Sequence, residues 1–433
     1  MSHRKQELFF GGFKLYQLIF TRRTIGTSWA PAFVLLFSIL SIPSAALSEP
    51  APGSNCALVA AAMEVASDVR GLRERRKVPC RLQNRKQVEQ YLRDTIRTKI
   101  PQKRLLHEGI SYKMLGLIPA DFNYEEGLIE LYTSQLGGYY DADKDFYAMA
   151  DWMPEVMQFP IAVHELTHAL QDQHFRLDNL LDQKTEVSDA LLARSALVEG
   201  DATAVMLDYS RKLMGQGPLA AENSVTGVMM QNIAGAMLSS SLTNAPPALQ
   251  SILMFPYVSG LNFVHAVLRH GGYKSIDSCF AKLPASTEEI LHPDKYFSGK
   301  RDFQEIEHSD ISALVNISLG EPVFTDRIGE FVISTILSQG VPPSLASMGA
   351  AGWGGDRLEL YEVGKGRYVL HWISHWDSLE DAQEFFQQFT TTLEGRFGGA
   401  VKTVGSVSIK ASPFGSISLQ HDHKSVRFLI QPS

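Results

Sequence analysis

The chain has 433 residues, of which 45% are hydrophobic and 20% are charged, and its formal net charge is −7. The length predicts two or three domains, and the composition is typical of a globular chain that can bury a large core. The negative net charge argues against nucleic acid as the main partner, because no strongly basic stretch dominates a domain. One basic cluster, which we interpret as a solvated helix end, contains Arg70, Arg73, Arg75, Arg76 and Lys77.

Residues 1–48 show the order of features found in a targeting segment. Basic residues come first, an apolar run extends from Trp29 to Leu47, and small residues follow it. This order favours an export signal, and a single uncleaved membrane anchor formed by residues 29–47 is the alternative. Both interpretations place the globular part in the periplasm or the extracellular space, because the basic residues stay on the cytoplasmic side.

The chain contains three cysteines, Cys56, Cys80 and Cys279, and none of them stands at metal-ligand spacing from another. In an oxidising compartment Cys56 and Cys80 are the nearest pair for a disulfide, and Cys279 then stays free. Three reduced cysteines packed in the interior are the alternative.

The first part of the globular region is predicted to be mainly helical. A linker at 49–54 precedes helices expected at 55–76, 85–99, 112–117 and 124–136, with an edge strand at 77–82.

A tight hairpin follows, with its turn at Asp141–Asp145. Three aspartates in this turn alternate as calcium ligands do, but the loop lacks the twelve-residue length and closing glutamate of a calcium loop. We therefore predict a surface turn.

The next segment contains His164-Glu165-Leu166-Thr167-His168, an H-E-x-x-H motif inside an apolar run. We predict a helix at about 160–174 that starts at a proline, since proline lacks the N–H that a first helical turn leaves unpaired. At about 100° per residue, His164 and His168 lie one turn apart on the same face. Two imidazoles so placed can occupy two corners of a tetrahedral zinc site, with Glu165 beside the metal as a general base.

Glu199 is the best candidate for a third ligand, on a second helix for which Ser188 is a suitable N-cap. Apolar residues at helical spacing place Glu199 on the inward side, where a carboxylate is costly unless it is paired or binds a metal. A glutamate at the edge of the helix surface is the alternative. Gly200 costs about 1 kcal/mol relative to alanine inside a helix, and close packing is a reason to keep it.

An H-E-x-x-H motif followed by a glutamate on a second helix resembles the gluzincin class of zinc metallopeptidases, which have a thermolysin-like fold. Within that class the chain is most similar to uncharacterised bacterial predicted metallopeptidases. Further stretches that carry the resemblance are Leu115-Gly116-Leu117-Ile118-Pro119, Gly138-Tyr139-Tyr140-Asp141, Ser286-Thr287-Glu288-Glu289-Ile290-Leu291-His292-Pro293 and Gly352-Trp353-Gly354-Gly355-Asp356-Arg357. The resemblance implies a zincin-like core and a catalytic zinc ion held by His164, His168 and Glu199.

The resemblance also implies a cleft bordered by a hairpin strand just before the H-E-x-x-H helix, whose exposed backbone can pair with an extended peptide substrate by strand addition. A plain surface hairpin is the alternative.

One position departs from the class, in which an aspartate four residues after the ligand glutamate often orients a ligand histidine. Here that position is Thr203, and Asp201 lies about 200° around the helix from Glu199. We expect either a weaker hydrogen bond from Thr203 or a carboxylate from another segment.

Residues 213–250 are rich in small residues and methionine, which indicates either a lid over the cleft, with Met229, Met230 and Met237, or ordinary core. A helix is predicted at 255–268.

Peptide hydrolysis also needs a hydrogen-bond donor for the oxyanion. The two candidates are Tyr257, at the entry of that helix, and His292.

From about residue 320 the pattern changes to a small ββαββ module. After a helix at 323–338 we predict a hairpin of strands 357–363 and 367–375, a helix at 379–397, and strands 415–420 and 425–431. We interpret His421 and His423, in the last turn, as exposed turn residues rather than metal ligands.

These patterns predict an α+β, mostly helical fold with a targeting segment at 1–48, a zincin-like metallopeptidase domain at 49–315 and a small α+β domain at 320–433. The expected function is Zn²⁺-dependent hydrolysis of peptide or protein substrates outside the cytoplasm, with Glu165 as general base. An endopeptidase is preferred, because the sequence shows no motif for binding a free amine. The alternatives are a zinc amidase acting on cell-wall peptides and a noncatalytic binding protein with a structural zinc site.

Overall fold

The computed structural model of the protein describes residues 55–182, 187–228, 245–315 and 317–432. The targeting segment at 1–48, the linker at 49–54 and the three methionines considered for a lid lie outside the described residues. The described part is α+β with more helix than strand, which confirms the mixed class predicted from the sequence.

The first described part of the chain contains several helices and a small mixed sheet. The helices are α1 (Val59–Arg70), α2 (Arg85–Lys99), α3 (Gln102–Leu115) and α4 (Tyr124–Gln135). The strands are β1 (Cys80–Gln83), β2 (Gly138–Asp141) and β3 (Phe146–Ala150), in the order β1-β3-β2. Strand β3 is parallel to β1 and antiparallel to β2, so the predicted edge strand and hairpin are confirmed, with β2 at the second edge.

Helices then build the centre of the molecule. They are α5 (Glu155–Phe175), α6 (Leu177–Leu180), α7 (Ser188–Leu213), α8 (Pro247–Gly271), α9 (Tyr273–Ala281), α10 (Thr287–Leu291) and α11 (Pro293–Ser298). Helix α8 is long and apolar enough to cross a membrane, but half of its most apolar stretch is buried inside the protein. A buried core helix meets the same criteria, so α8 is no sign of membrane insertion.

The predicted start of the motif helix at Pro160 is wrong, because α5 begins five residues earlier, at Glu155, and Pro160 lies inside it. Proline inside a helix removes the hydrogen bond to the carbonyl four residues before it, here that of Val156. Val156 is 80% exposed, so water can solvate this carbonyl and the helix tolerates the loss.

The C-terminal part forms a seven-stranded antiparallel sheet with three helices. The strands are β4 (Phe324–Asp326), β5 (Trp353–Gly364), β6 (Arg367–Trp376), β7 (Val401–Thr403), β8 (Ser406–Ser412), β9 (Gly415–Asp422) and β10 (Ser425–Gln431). The helices are α12 (Gly329–Leu337), α13 (Pro343–Ala350) and α14 (Leu379–Phe397). The order is β4-β5-β6-β10-β9-β8-β7, because the last strand returns to pair with β6.

This sheet corrects two predictions for the module. The helix expected at 323–338 is a short strand, β4, followed by the shorter helix α12, because 324–326 pair with β5. The ββαββ pattern also omitted β7 and β8, which extend the sheet beyond β9. The central hairpin β5–β6, the helix α14 and its predicted cap Ser378 are confirmed.

Buried apolar residues of the sheet and of α12 to α14 form one core with residues from α3, α4 and α8. A second core lies around α7 and α8, and a third joins α1 and α5 to the small sheet. Helix α7 begins at Ser188, so Ser188 is its first residue and not the predicted N-cap. Asp326 of β4 caps this end of the helix by accepting hydrogen bonds from the backbone N–H and the hydroxyl of Ser188.

Candidate metal centre

The structure brings the three predicted zinc ligands together. His164 and His168 project from α5, and Glu199 reaches them from α7, which packs against α5. The Nε2 atom of His164 lies 3.1 Å from Glu199 Oε2 and 3.2 Å from His168 Nε2. His168 Nε2 lies 3.4 Å from the same carboxylate oxygen.

These separations fit a tetrahedral zinc ion. Ligand atoms about 2.0–2.1 Å from a zinc ion at tetrahedral angles are roughly 3.3–3.4 Å apart. The three observed distances, 3.1, 3.2 and 3.4 Å, are close to the edges of such a tetrahedron. The imidazole side chains are 11% exposed and the carboxylate 23%, so the centre is sheltered but solvent can reach it. The donor set, two imidazole nitrogens and one carboxylate oxygen, is one that zinc commonly takes in catalytic sites.

The charges of the cluster are strongly coupled. Burial alone would lower the pKa of His168, but the Glu199 carboxylate beside it raises this pKa to about 9. Burial opposes ionisation of Glu199, yet the two imidazoles hold its pKa well below the usual range. The Glu199 carboxylate therefore favours a positive charge at the two imidazoles, which either a bound proton or a metal ion can supply.

Glu165 lies beside this cluster and faces the edge strand β2. Its Oε2 atom accepts a hydrogen bond from the backbone N–H of Tyr140, 3.1 Å away. Burial raises the pKa of Glu165, while His164 and His168 act in the opposite direction. The carboxylate therefore interacts electrostatically with the ligand imidazoles without being one of the three clustered ligands.

Tyr257 is brought to the centre by an unusually close contact between α7 and α8. A Cβ atom on Gly200 would lie 2.3 Å from the carbonyl oxygen of Gly260, and one on Gly260 would lie 2.2 Å from that of Ala196. Only glycine allows the two backbones to approach so closely, which confirms the packing role expected for Gly200. Tyr257 lies one turn before Gly260 on α8, so the same contact places it beside Glu199.

The Tyr257 ring is stacked 6.3 Å from the ring of His164, measured between centroids. Burial raises the pKa of Tyr257 well above its usual value, and the nearby Glu199 and Glu165 carboxylates raise it further. Of the two candidate oxyanion donors, Tyr257 is therefore at the metal cluster. His292 instead pairs with Glu330 of α12 at 2.9 Å, an interaction that raises the pKa of His292.

Tyr132, on α4, was not predicted from the sequence as a site residue. Desolvation raises the pKa of its hydroxyl, with further contributions from the Glu108 and Glu199 carboxylates, so this hydroxyl lies near Glu199. Helix α4 contributes Leu131 to the C-terminal core, so only the tertiary fold brings Tyr132 near the metal site.

The partner of His168 is also different from the one expected. Its Nδ1 atom lies 2.8 Å from Oε1 of Gln171, one turn along α5, and Gln171 in turn bonds to Asp201. The Thr203 hydroxyl is buried and has no hydrogen-bond partner among the described residues. Neither expected form of support is therefore found: the carboxylate behind His168 is Asp201, on the same helix as Glu199, and it acts through the Gln171 amide.

Arg70 corrects the interpretation of the basic cluster as a solvated helix end. Its side chain is fully buried, and its Nε atom lies 2.8 Å from Asp201 Oδ1. A second bond of 2.7 Å connects Arg70 to Asp277 on α9. A buried guanidinium needs such partners, because an unpaired charge inside a protein is very costly.

The histidines His174 and His421 and the hairpin aspartates have partners away from this site. His174 Nε2 lies 2.8 Å from the carbonyl oxygen of Arg73, and His421 Nε2 lies 2.7 Å from that of His423. The hairpin aspartates bond to nearby backbone N–H groups, lysine and arginine. A second acidic group, formed by Glu288, Asp302 and Asp377, surrounds the ammonium of Lys295.

The predicted disulfide between Cys56 and Cys80 is present and joins the segment before α1 to strand β1. Cys279 is free and buried on α9.

Comparison with known proteins reaches only the C-terminal part of the chain. Residues 317–433 match the model of a family described as a domain of unknown function, DUF8575. No curated protein and no solved structure matches the chain. The family match covers the seven-stranded sheet and ends well short of the metal cluster on α5 and α7.

Proposed function

We propose that the protein is a zinc-dependent hydrolase of peptide bonds that acts outside the cytoplasm. The observation that carries the proposal is the convergence of His164, His168 and Glu199 at the edge lengths of a zinc tetrahedron, with Glu165 beside them. Three protein ligands leave one position open, as catalytic zinc requires, whereas structural zinc sites are usually closed by a fourth protein ligand.

A zinc ion held by these side chains would lower the pKa of a water molecule to about 7 and polarise a substrate carbonyl. Glu165, which lies beside the three ligands, would take the proton from this water. Its buried carboxyl has a raised pKa, which makes it a better base than an exposed glutamate. The same carboxyl can then return the proton to the leaving amine, so the group is used twice in one turnover.

Tyr257 supplies a donor for the negative charge that develops on the carbonyl oxygen. Its ring is fixed against His164, and its hydroxyl is close enough to Glu199 for that carboxylate, after burial, to raise its pKa. A donor fixed in advance needs little reorganisation when the charge appears, which is why such groups lower the barrier.

The edge strand β2 supports an extended peptide as the substrate. Among the described residues, β2 pairs with β3 on one side and with no strand on the other. An edge strand of this kind can add a peptide strand by backbone hydrogen bonds. Strand β2 approaches the centre directly, since Tyr140 donates its N–H to Glu165.

The disulfide Cys56–Cys80 supports a location outside the cytoplasm, because disulfides persist mainly in oxidising compartments. The targeting segment proposed at 1–48 agrees with such a location.

The test compares hydrolysis of a broad peptide library by the wild type and the Glu165→Gln variant, with zinc content measured for each. We expect both to bind one zinc ion, and we expect the variant to lose at least a hundredfold in kcat, because the base is missing. Glu155→Gln is the matched control, since Glu155 lies on the same helix but is exposed at its first turn.

Three other outcomes would redirect the proposal. Equal turnover by the wild type and Glu165→Gln would refute the mechanism. Zinc binding by the wild type without hydrolysis of any peptide would favour the noncatalytic binding protein. Cleavage restricted to cell-wall peptides would favour the zinc amidase.

A further inference from the structure

We propose that Gln171 is the positioning residue for His168, and that the buried ion pair between Arg70 and Asp201 holds Gln171 in place. The inference rests on the proposed metal site, because it concerns the orientation of one of its ligands. Its elements come from three helices, α1, α5 and α7, which meet behind the ligand imidazole.

The hydrogen bonds of Gln171 determine the tautomer of His168. The amide Nε2 of Gln171 donates to the carbonyl oxygen of Val198 at 3.0 Å and to Asp201 Oδ2 at 2.9 Å. Both partners are acceptors, so the amide nitrogen must face them and Oε1 must face His168. An amide oxygen only accepts, so the Nδ1 atom of His168, 2.8 Å away, carries the proton. The Nε2 atom of a neutral imidazole is then an unprotonated ligand that faces His164 and Glu199.

The same bonds tie the ligand helices to each other. Gln171 lies one turn after His168 on α5, whereas Val198 and Asp201 flank Glu199 on α7. A shift of Gln171 would therefore move the imidazole of one helix relative to the carboxylate of the other. Gln171 is fully buried, so water cannot replace it without a cavity.

The ion pair holds the acceptor for Gln171 in a fixed position. Asp201 and Arg70 are both completely buried, with Arg70 Nε 2.8 Å from Asp201 Oδ1. Arg70 is anchored in turn by Asp277 at 2.7 Å, and its guanidinium lies over the Tyr273 ring, 5.4 Å from the centroid. The orientation of His168 thus depends on a cation from α1, far away in the sequence.

The test measures the zinc affinity of the Gln171→Leu variant by competition with a chelator. Gln173→Leu is a closely matched control, because Gln173 is also buried on α5 but bonds to the backbone of Arg75 and Arg76 instead of to a ligand. Loss of a partner that orients a metal ligand typically weakens metal binding about 10- to 100-fold. We expect a loss of this size for Gln171→Leu and less than a threefold change for Gln173→Leu. We also expect an altered visible spectrum of bound Co²⁺ only in Gln171→Leu.

Equal zinc affinities and Co²⁺ spectra for the two leucine variants would overturn the inference while leaving the metal site intact. A wild type that binds no zinc would overturn both. If Gln171→Leu does not fold, the wild type still provides a test through histidine labelled with ¹⁵N. In the zinc-loaded protein we expect the Nδ1 proton of His168 to exchange slowly with water, because it is buried and bonded to Gln171; rapid exchange would contradict the inference.

Discussion

The contact between α7 and α8 gives the most quantitative prediction, and Gly260→Ala is the perturbation that tests it. A Cβ atom at this position would lie 2.2 Å from the carbonyl oxygen of Ala196, where ordinary contact begins at 3.4 Å. That carbonyl belongs to the helix backbone and cannot rotate away, so the two helices must separate by about 1 Å. Overpacking of this kind costs about 1–3 kcal/mol, and the higher helix propensity of alanine offsets about 1 kcal/mol of it.

The separation also moves Tyr257, one turn away on α8, from its position beside Glu199 and the His164 ring. A displacement of about 1 Å in an active site can reduce the rate roughly a hundredfold. We therefore expect Gly260→Ala to lower kcat by about 10- to 100-fold while zinc content is unchanged, because all three ligands lie on α5 and α7. Peptide hydrolysis and chemical denaturation measure the two effects.

Gly395→Ala is the matched control for this experiment. Gly395 lies in the exposed part of α14, and a Cβ atom there meets no other atom within 4 Å. The substitution is expected to raise the free energy of unfolding by up to about 1 kcal/mol and to leave kcat unchanged. The reasoning would be refuted by a Gly260→Ala protein as stable and as active as Gly395→Ala.

Three further predictions concern stability. Arg70→Met leaves Asp201 buried without its cation, so the free energy of unfolding should fall by about 3–5 kcal/mol in denaturant titrations; a loss below about 1 kcal/mol would contradict the buried pair. Reduction of Cys56–Cys80, which spans a separation of 24 residues, should cost about 3 kcal/mol in the same titration, and an unchanged midpoint would argue against the bond. Burial raises the pKa of Glu108 from 4.5 to about 7, so the folded state holds this proton more tightly than the unfolded state does. The resulting stability is present below pH 4.5 and lost as the pH rises to 7, and the slope of Tm over this window should be smaller in Glu108→Gln than in the wild type.

Local sequence patterns predicted which face of its helix each proposed metal ligand occupies. Helical geometry placed His164 and His168 on one face, and the apolar pattern of the second helix placed Glu199 toward the interior. Gly200 signalled a close helix contact, but its partner Gly260 comes from a helix that the sequence could not pair with α7. Tyr257 was a candidate donor from the sequence, but its position at the metal site followed only from that pairing.

Arg70 shows a signal that was present but given too little weight. Met63, Ala66 and Arg70 follow each other at helical spacing, and all three are buried on one face of α1. The four basic neighbours suggested a solvated end, whereas the periodicity indicated an inward side chain with a buried partner. Which carboxylate it pairs with could not be predicted, because Asp201 lies on a distant helix.

The C-terminal sheet shows which strands could be predicted from the sequence and which could not. The hairpin β5–β6 was predicted because its alternating residues flank a glycine turn. Strand β7 was missed because it has only three residues and is exposed throughout, so it lacks the buried alternation of a strand. Strand β8 was also missed, although with seven residues it is as long as β10. The cap that Asp326 provides for α7 was equally hidden, since the two segments are far apart in sequence.

The most direct test of the account is X-ray absorption at the zinc edge on the purified wild-type protein, together with zinc content. We expect one zinc ion per chain, bound by two imidazole nitrogens and two oxygens at about 2.0–2.1 Å. One oxygen comes from Glu199 and the other from solvent. In Glu199→Ala the zinc should be bound more weakly or lost. A wild type without zinc, or a spectrum dominated by sulfur ligands, would contradict the account.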